Sequence, residues 1–346
     1  MPGHQKANYI MMKLLKLFIT YQLKDTKPRQ KPGGFTLLEL LIGLILAFIV
    51  ITPLLGFMIS IMNQDRQEQA KAASEQEIQS ALNYISRDID QAIFIYDGNG
   101  LPQIANQLPQ VNSGVPVLVF WKRKFLPKSL PVRGAADCND QTRCDDAFVY
   151  SLVAYYQITE NPCTNKNWSC TSRIGRVEIR DALVNVNNPS GGGSTPASVP
   201  NQEKSPGFKL FDLNQPNASN LEEAMNNWTS DAGINDPKNA PEILLDYIDQ
   251  SRGANVPPAS CSTVNPDGSP NPDRQVPPPT AIDTTSFYAC VDTDKTIAQV
   301  FIRGNALARI KPKPNPPAYV SSQNAYFPRA SIQAQGRGLV KLTPDG

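Results

Sequence analysis

Histidine is almost absent from this 346-residue chain, since the only one is His4, close to the amino terminus. Serine and cysteine hydrolases place a histidine beside the nucleophile, so the rest of the chain offers no Ser-His-Asp or Cys-His arrangement. The sequence also lacks the Gly-x-x-x-x-Gly-Lys loop and the glycine-rich dinucleotide fingerprint that hold phosphates. We therefore expect no nucleotide chemistry, no cofactor and no enzymatic activity.

Basic residues are concentrated at the amino end of the chain. Residues 1–34 contain seven Lys and Arg side chains against the single acid Asp25, whereas the remainder carries a net charge of −4. A nucleic-acid partner would need a basic surface on the folded part, so we expect none. A short basic flank of a membrane helix stays in the cytoplasm, which predicts that the chain after the helix faces outward.

One long apolar run follows this basic segment. From Phe35 to Met62 the chain has 28 residues and one ionisable side chain, Glu39. A helix of this length spans the hydrocarbon layer of about 30 Å. A secretory signal would be shorter and would end in a small-residue cleavage site. The sequence therefore predicts a single-pass helix over residues 35–62 in the inner membrane.

Glu39 is the unusual residue of this span, because an ionisable group in a membrane helix costs about a few kcal/mol and is commonly functional. One interpretation is that it stabilises the helix amino terminus through the helix dipole. The other is that a cut between Gly34 and Phe35 creates an amine that compensates the carboxylate of a neighbouring subunit. Pro53 lies in the same span and predicts a kink, because proline donates no helix hydrogen bond.

The residues around this junction, Lys31–Gly34 followed by Phe35–Glu39, resemble the motif of type IV prepilins and pseudopilins. The resemblance implies that a prepilin peptidase cuts after Gly34, that Phe35 is N-methylated, and that Glu39 directs assembly with other pilins. Glycine suits such a site because, lacking Cβ, it lets the backbone lie extended in a protease. The leader, residues 1–34, is long for the family, and Met11 or Met12 is an alternative start.

An amphipathic helix is predicted over residues 63–97, with glycines at 98 and 100 ending it. Its apolar stripe recurs every three or four residues and consists of Ile78, Leu82, Ile85, Ile89 and Ile93. We expect this stripe to pack on an extracytoplasmic head formed by residues 98–346. A coiled-coil dimer is the alternative partner for the stripe.

The head is predicted to be pilin-like and α+β, with the helix packed on an antiparallel sheet. Runs rich in β-branched and aromatic residues predict strands at Val115–Trp121, Phe148–Thr159, Ile174–Arg180, Phe287–Val291 and Ile297–Arg303. Short helices are predicted at Leu221–Trp228 and Pro241–Gln250. Pro- and Gly-rich stretches at 187–205, 256–280 and 311–317 predict long loop insertions that add no core.

Six cysteines lie in the head, where an oxidising compartment would favour disulfides. They allow 15 pairings, and loop length favours the neighbours in sequence, namely Cys138 with Cys144, Cys163 with Cys170, and Cys261 with Cys290. A zinc site is the alternative, although the tight Cys-x-x-Cys spacing typical of such sites is missing.

Two further groups of side chains are candidate binding residues. One group consists of carboxylates in two clusters, which could hold calcium: Asp137, Asp140, Asp145, Asp146, Asp292 and Asp294. Their spacing matches no defined calcium-binding loop, so solvated acidic loops without a metal are favoured. Trp121, Trp168 and Trp228 could line a sugar-binding groove, whereas burial in the core is the ordinary alternative.

The order of segments along the chain also resembles that of the larger minor pseudopilins, namely the J-type subunits of type II secretion and the W-type minor pilins. In this chain the order is a long helix, then Tyr155–Ile158, then Ile174–Glu178. In size, cysteines and proline-rich loops the chain is most similar to the C-type pseudopilins of cyanobacterial hormogonium polysaccharide secretion. This implies a filament subunit that helps export a polysaccharide for gliding motility. Alternatives are a minor pilin that primes a type IV pilus, a subunit for protein secretion, and a membrane-anchored periplasmic enzyme acting on glycans.

Cleavage after Gly34 is directly testable. In cells that contain prepilin peptidase we expect the mature chain to begin at Phe35, and Gly34→Val to remain at precursor mass because the bulkier residue blocks the protease site. Mass spectrometry of the purified protein measures both, with Gly33→Ala as the control that is still cut. If the natural chain has the same mass in a strain without prepilin peptidase as in a strain with it, the prediction is wrong.

Overall fold

The computed structural model describes residues 36–132, 135, 137–164, 167–184, 198–216, 218–262, 271, 274–281, 284–311 and 316–338. The chain divides into two compact units, Met1–Ile61 and Met62–Gly346. It combines a long apolar helix with antiparallel sheets, as expected for an α+β protein. The Gly34–Phe35 junction and much of each predicted insertion lie outside the described residues.

The long helix α1 spans Leu37–Ile89. In its last four turns, Ile78, Leu82, Ile85 and Ile89 are buried in the core of the second unit, which confirms the predicted packing of the stripe. The apolar period of three and four residues places these side chains on one side of the helix. This half of α1 is therefore an integral part of the second unit.

The helix ends earlier than predicted, because residues 92–95 form a strand instead of continuing to residue 97. Strand β1 spans Ala92–Ile95, and all four of its residues are buried. One stripe of a helix cannot bury four consecutive side chains, whereas a strand covered on both faces can. Pairing with β2, in which Ile95 lies opposite Phe120, decides the outcome in favour of the strand.

The first sheet has five antiparallel strands in the order β1-β2-β3-β4-β5. Its further strands are β2 Gly114–Pro131, β3 Cys144–Ile158, β4 Ser172–Arg180 and β5 Glu242–Ile248. The helix predicted at Pro241–Gln250 is wrong, since this segment is β5 and pairs with β4, with Leu245 opposite Ile174. Its apolar residues fit the period of a helix and that of a strand equally well. Pairing with the free edge of β4 favours the strand.

A second sheet accompanies the first, where the sequence predicted a single one. It has the order β6-β7-β8-β9, from β6 Gln275–Val276, β7 Phe287–Asp292, β8 Ile297–Arg303 and β9 Arg329–Gln335. The strands predicted here at 287–291 and 297–303 are confirmed, whereas β6 and β9 were not predicted. β6 lies in the stretch 256–280, which was wrongly predicted to add no core, since Val276 is fully buried there. Apolar residues of both sheets and of α1 share one core.

The described part of the second unit also contains three short α-helices: α2 Gly100–Ile104, α3 Leu221–Asn226 and α4 Leu307–Ile310. Helix α3 confirms the short helix predicted from Leu221, although it ends two residues earlier. It begins at an Asn220 side chain that accepts a hydrogen bond from the Glu223 N–H at 2.8 Å, an ordinary amino-terminal cap.

The segment after β9 joins the second sheet to β1. The Gly336 N–H donates to the Thr296 carbonyl oxygen at 2.8 Å, and the Gly338 N–H donates to that of Ala92 at 3.1 Å. A Cβ built on Gly338 would lie 2.1 Å from Ile93 Cγ2, so only glycine allows this approach.

Three disulfides form with the pairing that loop length favoured: Cys138–Cys144, Cys163–Cys170 and Cys261–Cys290. The first two bonds close the β2–β3 and β3–β4 connections. The third ties the loop before β6 to β7. Two of the disulfides therefore anchor an irregular segment to an inner strand, at Cys144 of β3 and Cys290 of β7, whereas Cys163–Cys170 closes a loop on itself.

Substitution of Ile85 tests the role of the buried stripe. Ile85 is fully buried, whereas Ile45 on the same helix is 49% exposed. We expect Ile85→Ala to lower the free energy of unfolding of the second unit by about 2–5 kcal/mol, because it leaves a cavity. Ile45→Ala is the matched control and should have no such effect. Denaturation of the full chain in detergent, followed by tryptophan fluorescence, measures the difference, and equal stabilities would contradict the packing.

Candidate functional site

The first turn of α1 carries the candidate assembly residue. The Glu39 N–H donates to the Thr36 carbonyl oxygen at 3.0 Å and lies 3.3 Å from Thr36 Oγ1. Thr36 therefore caps the helix, and Glu39 occupies the third position, where a carboxylate favours the helix dipole. The carboxylate is exposed, which leaves it accessible to a second chain.

The side chains that follow Glu39 form an uncovered apolar surface. In the described part of the chain, α1 is the one helix long and apolar enough to cross a membrane, and its most apolar stretch is entirely exposed. Large apolar side chains from Leu37, 89% exposed, to Met62, 47% exposed, point away from any protein partner. Soluble proteins do not expose an apolar surface of this extent, so lipid or another chain must cover it.

Pro53 lies inside α1, as predicted. Its ring nitrogen has no hydrogen to give the Ile49 carbonyl oxygen, while the Thr52 hydroxyl donates to the Phe48 carbonyl oxygen at 2.7 Å. A threonine hydroxyl bonded four residues back commonly accompanies local bending of a helix. The functional kink stays a prediction.

A buried carboxylate joins the last turn of α1 to the first sheet. Asp88 is 6% exposed. Lys122 Nζ on β2 lies 2.6 Å from Asp88 Oδ1, while the Tyr155 hydroxyl on β3 and Arg176 Nε on β4 lie 2.8 and 2.7 Å from Oδ2. One carboxylate thus receives hydrogen bonds from three adjacent strands.

Glu178 extends this group of charges along β4. Its carboxylate lies 2.7 Å from Arg176 Nη2 and 3.1 Å from Lys124 Nζ. The two carboxylates and the three cations at residues 122, 124 and 176 form one network, which we call the Asp88 network. Buried ion pairs contribute little net stability but require a defined geometry, so the network fixes where α1 meets the sheet.

The pKa values of the Asp88 network follow from burial and charge. Burial alone would raise the pKa of Asp88, but the hydrogen bond and charge of Arg176 and the charge of Lys122 outweigh it and hold the pKa below its usual value. For Glu178, burial is likewise opposed by Lys122, Arg176 and Lys124, and the pKa falls to about 2. Burial and the charge of Asp88 raise the pKa of Tyr155, which keeps its hydroxyl a donor.

The predicted tryptophan and aspartate sites are dispersed. Trp121 and Trp228 are buried and pack edge to face, with ring centroids 5.5 Å apart, so they cannot line a groove. Trp168 alone of the three is substantially exposed, at 37%. Asp140 and Asp292 accept backbone hydrogen bonds within turns, and Asp146 on β3 accepts one from the Lys128 N–H on β2. Among the described residues no group of three or more His, Cys, Asp or Glu is placed to hold a metal ion.

The chain was compared with models of known protein families, with curated proteins and with solved structures. None of the three comparisons gives a match. The resemblance to prepilins therefore depends on the residues from Lys31 to Glu39 alone.

The Asp88 network was not predicted from the sequence, although one signal points to it. Asp88 lies between Ile85 and Ile89, next to the apolar stripe of a helix. A charged residue at such a position must be paired when the helix is buried. Its partners come from three strands between residues 122 and 178, and only the sheet order brings them together.

Asp88→Asn tests the network. At pH 7 we expect a loss of about 3–5 kcal/mol in the free energy of unfolding, because Lys122 and Arg176 stay buried after losing the Asp88 carboxylate, and Glu178 alone faces the three cations of the network. Both network carboxyls have lowered folded-state pKa values, so their contribution is present above the unfolded values and is lost as pH falls through the folded ones. The loss runs from 4.5 to about 2 for Glu178, and for Asp88 it begins below 3.8.

The difference between the natural chain and Asp88→Asn should therefore shrink in acid. Denaturation curves between pH 7 and pH 2 measure it, with the exposed Glu75→Gln on the same helix as control. A difference that stays constant over this range would contradict the assignment.

Proposed function

We propose that this chain is a non-enzymatic minor pseudopilin, cut after Gly34, methylated at Phe35, and assembled with other pilins into an envelope-spanning filament. One observation carries the proposal: an uncovered apolar helix whose first described turn holds the exposed carboxylate of Glu39. This carboxylate follows directly on the junction that resembles a prepilin cleavage site. The leader then lies in the cytoplasm, and the head lies on the outer side of the inner membrane.

The position of Glu39 favours assembly over simple anchoring. A helix that only anchors a domain is best served by apolar residues throughout, because a carboxylate in the hydrocarbon layer costs about a few kcal/mol. Cleavage at Gly34 would create a cationic amine four residues before it, and the amine of a neighbouring subunit would compensate the carboxylate. Packing of subunits side by side would also cover the apolar surface of α1.

The second unit supports a structural role. Its helix half is held by the buried stripe and by the Asp88 network, so a load applied to the helix would be carried into the sheet by packed and charged contacts. Three disulfides fit an oxidising compartment outside the cytoplasm. The head contains no histidine, which speaks against acid–base catalysis there.

The exported material is the finer part of the proposal. We take it to be a polysaccharide that supports gliding motility, in line with the family resemblance. Deletion of the gene should then abolish secreted polysaccharide and leave pili and exoproteins unchanged. Loss of pili would favour a pilus-priming minor pilin, and retention of exoproteins inside the cell would favour a subunit for protein secretion.

Glu39→Ala tests the assembly claim. We expect the variant to remain in the membrane, because its apolar span is intact, and to lose co-assembly, because the neighbouring amine has no partner. Pull-down of partner pilins after crosslinking in membranes measures this, with Glu75→Ala as the control for a lost carboxylate outside the span. Recovery of partner pilins at unchanged yield would contradict the proposal.

A further inference from the structure

Two open grooves meet at Trp168 on the second unit. The first has a volume of about 890 Å³ and lies between α1, the loop around Trp168 and β5, with Arg309 in its wall. The second has a volume of about 360 Å³ and lies between residues 109–112, the end of β3 and residues 234–243. Trp168 lines both, so the grooves adjoin at one aromatic side chain, and we call the combined surface the Trp168 face.

Two aromatic side chains on this face are substantially exposed. Trp168 is 37% exposed and Tyr84 is 43% exposed, whereas Trp121 and Trp228 are at most 3% exposed. Exposed aromatic rings are the usual anchors of binding sites, because they combine a large apolar face with a polar tip. A pyranose ring offers a matching apolar face of C–H groups.

Polar side chains surround these rings. The Gln110 side-chain amide and Asn235 Oδ1 already form hydrogen bonds within the chain. Amides and hydroxyls line the two grooves: Gln76, Ser80 and Asn167 in the first, and Gln110, Asn112 and Asn235 in the second. Sugar hydroxyls also donate and accept, so this lining suits their edges. Sites that bind small ligands and cofactors typically combine an apolar surface with a few polar groups.

The charge of the face selects among sugars. The first groove contains Glu77 and Asp246 against Arg309, and the second contains two acids, at 160 and 236, against one arginine at 173. Counted over the lining residues that the structure describes, each groove therefore has one net negative charge. An anionic polysaccharide would be repelled, whereas a neutral one would not.

The walls of the face are held in place before any ligand binds. The Cys163–Cys170 disulfide closes the loop that carries Trp168, and the Ser169 N–H in this loop donates to Asp246 Oδ2 at 2.8 Å. On the opposite wall, Arg309 pairs with Glu77 of α1 and lies over the Tyr247 ring, 4.1 Å from its centroid. Such preorganisation lowers the entropy lost on binding.

We propose that the Trp168 face binds a neutral polysaccharide, with one sugar ring stacked on Trp168 and the chain continuing into both grooves. The occupant is a chain and not a single sugar, because two grooves extend from the stacking residue. This inference rests on the proposed function only for the source of the glycan. It adds to that function a direct contact between this subunit and the exported polymer.

Tryptophan fluorescence offers a direct measurement. Because Trp121 and Trp228 are buried, a ligand-induced change in emission reports on Trp168. The full chain in detergent is titrated with neutral hexasaccharides, cellohexaose and isomaltohexaose among them, and with a hexamer of galacturonate as the acidic probe. We expect saturable changes with a neutral probe and binding at least about tenfold weaker with the acidic one.

Variants separate stacking from folding. Trp168→Ala should weaken neutral binding at least about tenfold by calorimetry, whereas Trp168→Phe should retain most of it because a ring remains. Phe148→Ala is the matched control, since Phe148 is 53% exposed and lines neither groove. Absence of saturable binding to every neutral probe, equal affinity of Trp168→Ala, or tighter binding of the acidic probe would overturn the inference.

The two proposals fail in different ways. Normal processing and co-assembly without glycan binding would overturn the glycan site and leave the filament proposal standing. Glycan binding by a chain that is neither cut nor assembled would overturn the filament proposal and leave the glycan site standing. Crosslinks from Trp168 to a partner pilin, with no glycan binding, would assign the face to subunit docking and overturn the inference.

Discussion

The buried carboxylate of Asp88 is the constraint around which the second unit is arranged. It lies in the last turn of α1 and receives hydrogen bonds from Lys122, Tyr155 and Arg176 on three successive strands. Removing the Asp88 carboxylate would leave an excess of positive charge in the core, so helix position and strand order must be satisfied together. The apolar stripe beside Asp88 supplies the burial that makes this requirement strict. Hydrophobic packing thus stabilises the contact, and the charges decide its geometry.

One helix serves two environments in this protein. Between Leu37 and Met62 its apolar side chains are exposed on every side, whereas from Ile78 to Ile89 one stripe is buried. The change follows the sequence, since an apolar run without periodicity needs lipid or other subunits and a periodic one needs a folded partner. Under the proposed function, Glu39 at one end and Asp88 at the other are both carboxylates that need cations. For Asp88 the cations come from the same chain, and for Glu39 we propose that they come from a neighbour.

Sequence reasoning was most successful where the pattern was long or strongly local. It predicted the apolar span, the stripe from Ile78 to Ile89, the strand Ile297–Arg303 and the three disulfides of near neighbours. It failed at residues 92–97 and at Pro241–Gln250, where short apolar runs fit a helix and a strand equally well. In both places an adjacent strand was available for pairing, β2 in one case and β4 in the other. The polar and apolar alternation of Arg329–Gln335 was too weak to predict β9.

The sequence by itself determined a basic amino-terminal segment, an apolar helix with one carboxylate, and a later region in which neighbouring cysteines pair, because these features depend on composition and short spacing alone. Only the tertiary structure decided that the second unit has two sheets, that Asp88 meets its cations, and that Trp168 is exposed while the other two tryptophans are buried. These properties depend on contacts between residues far apart in the chain. Strand order sets such contacts, and each strand carries too little information locally to specify its partner.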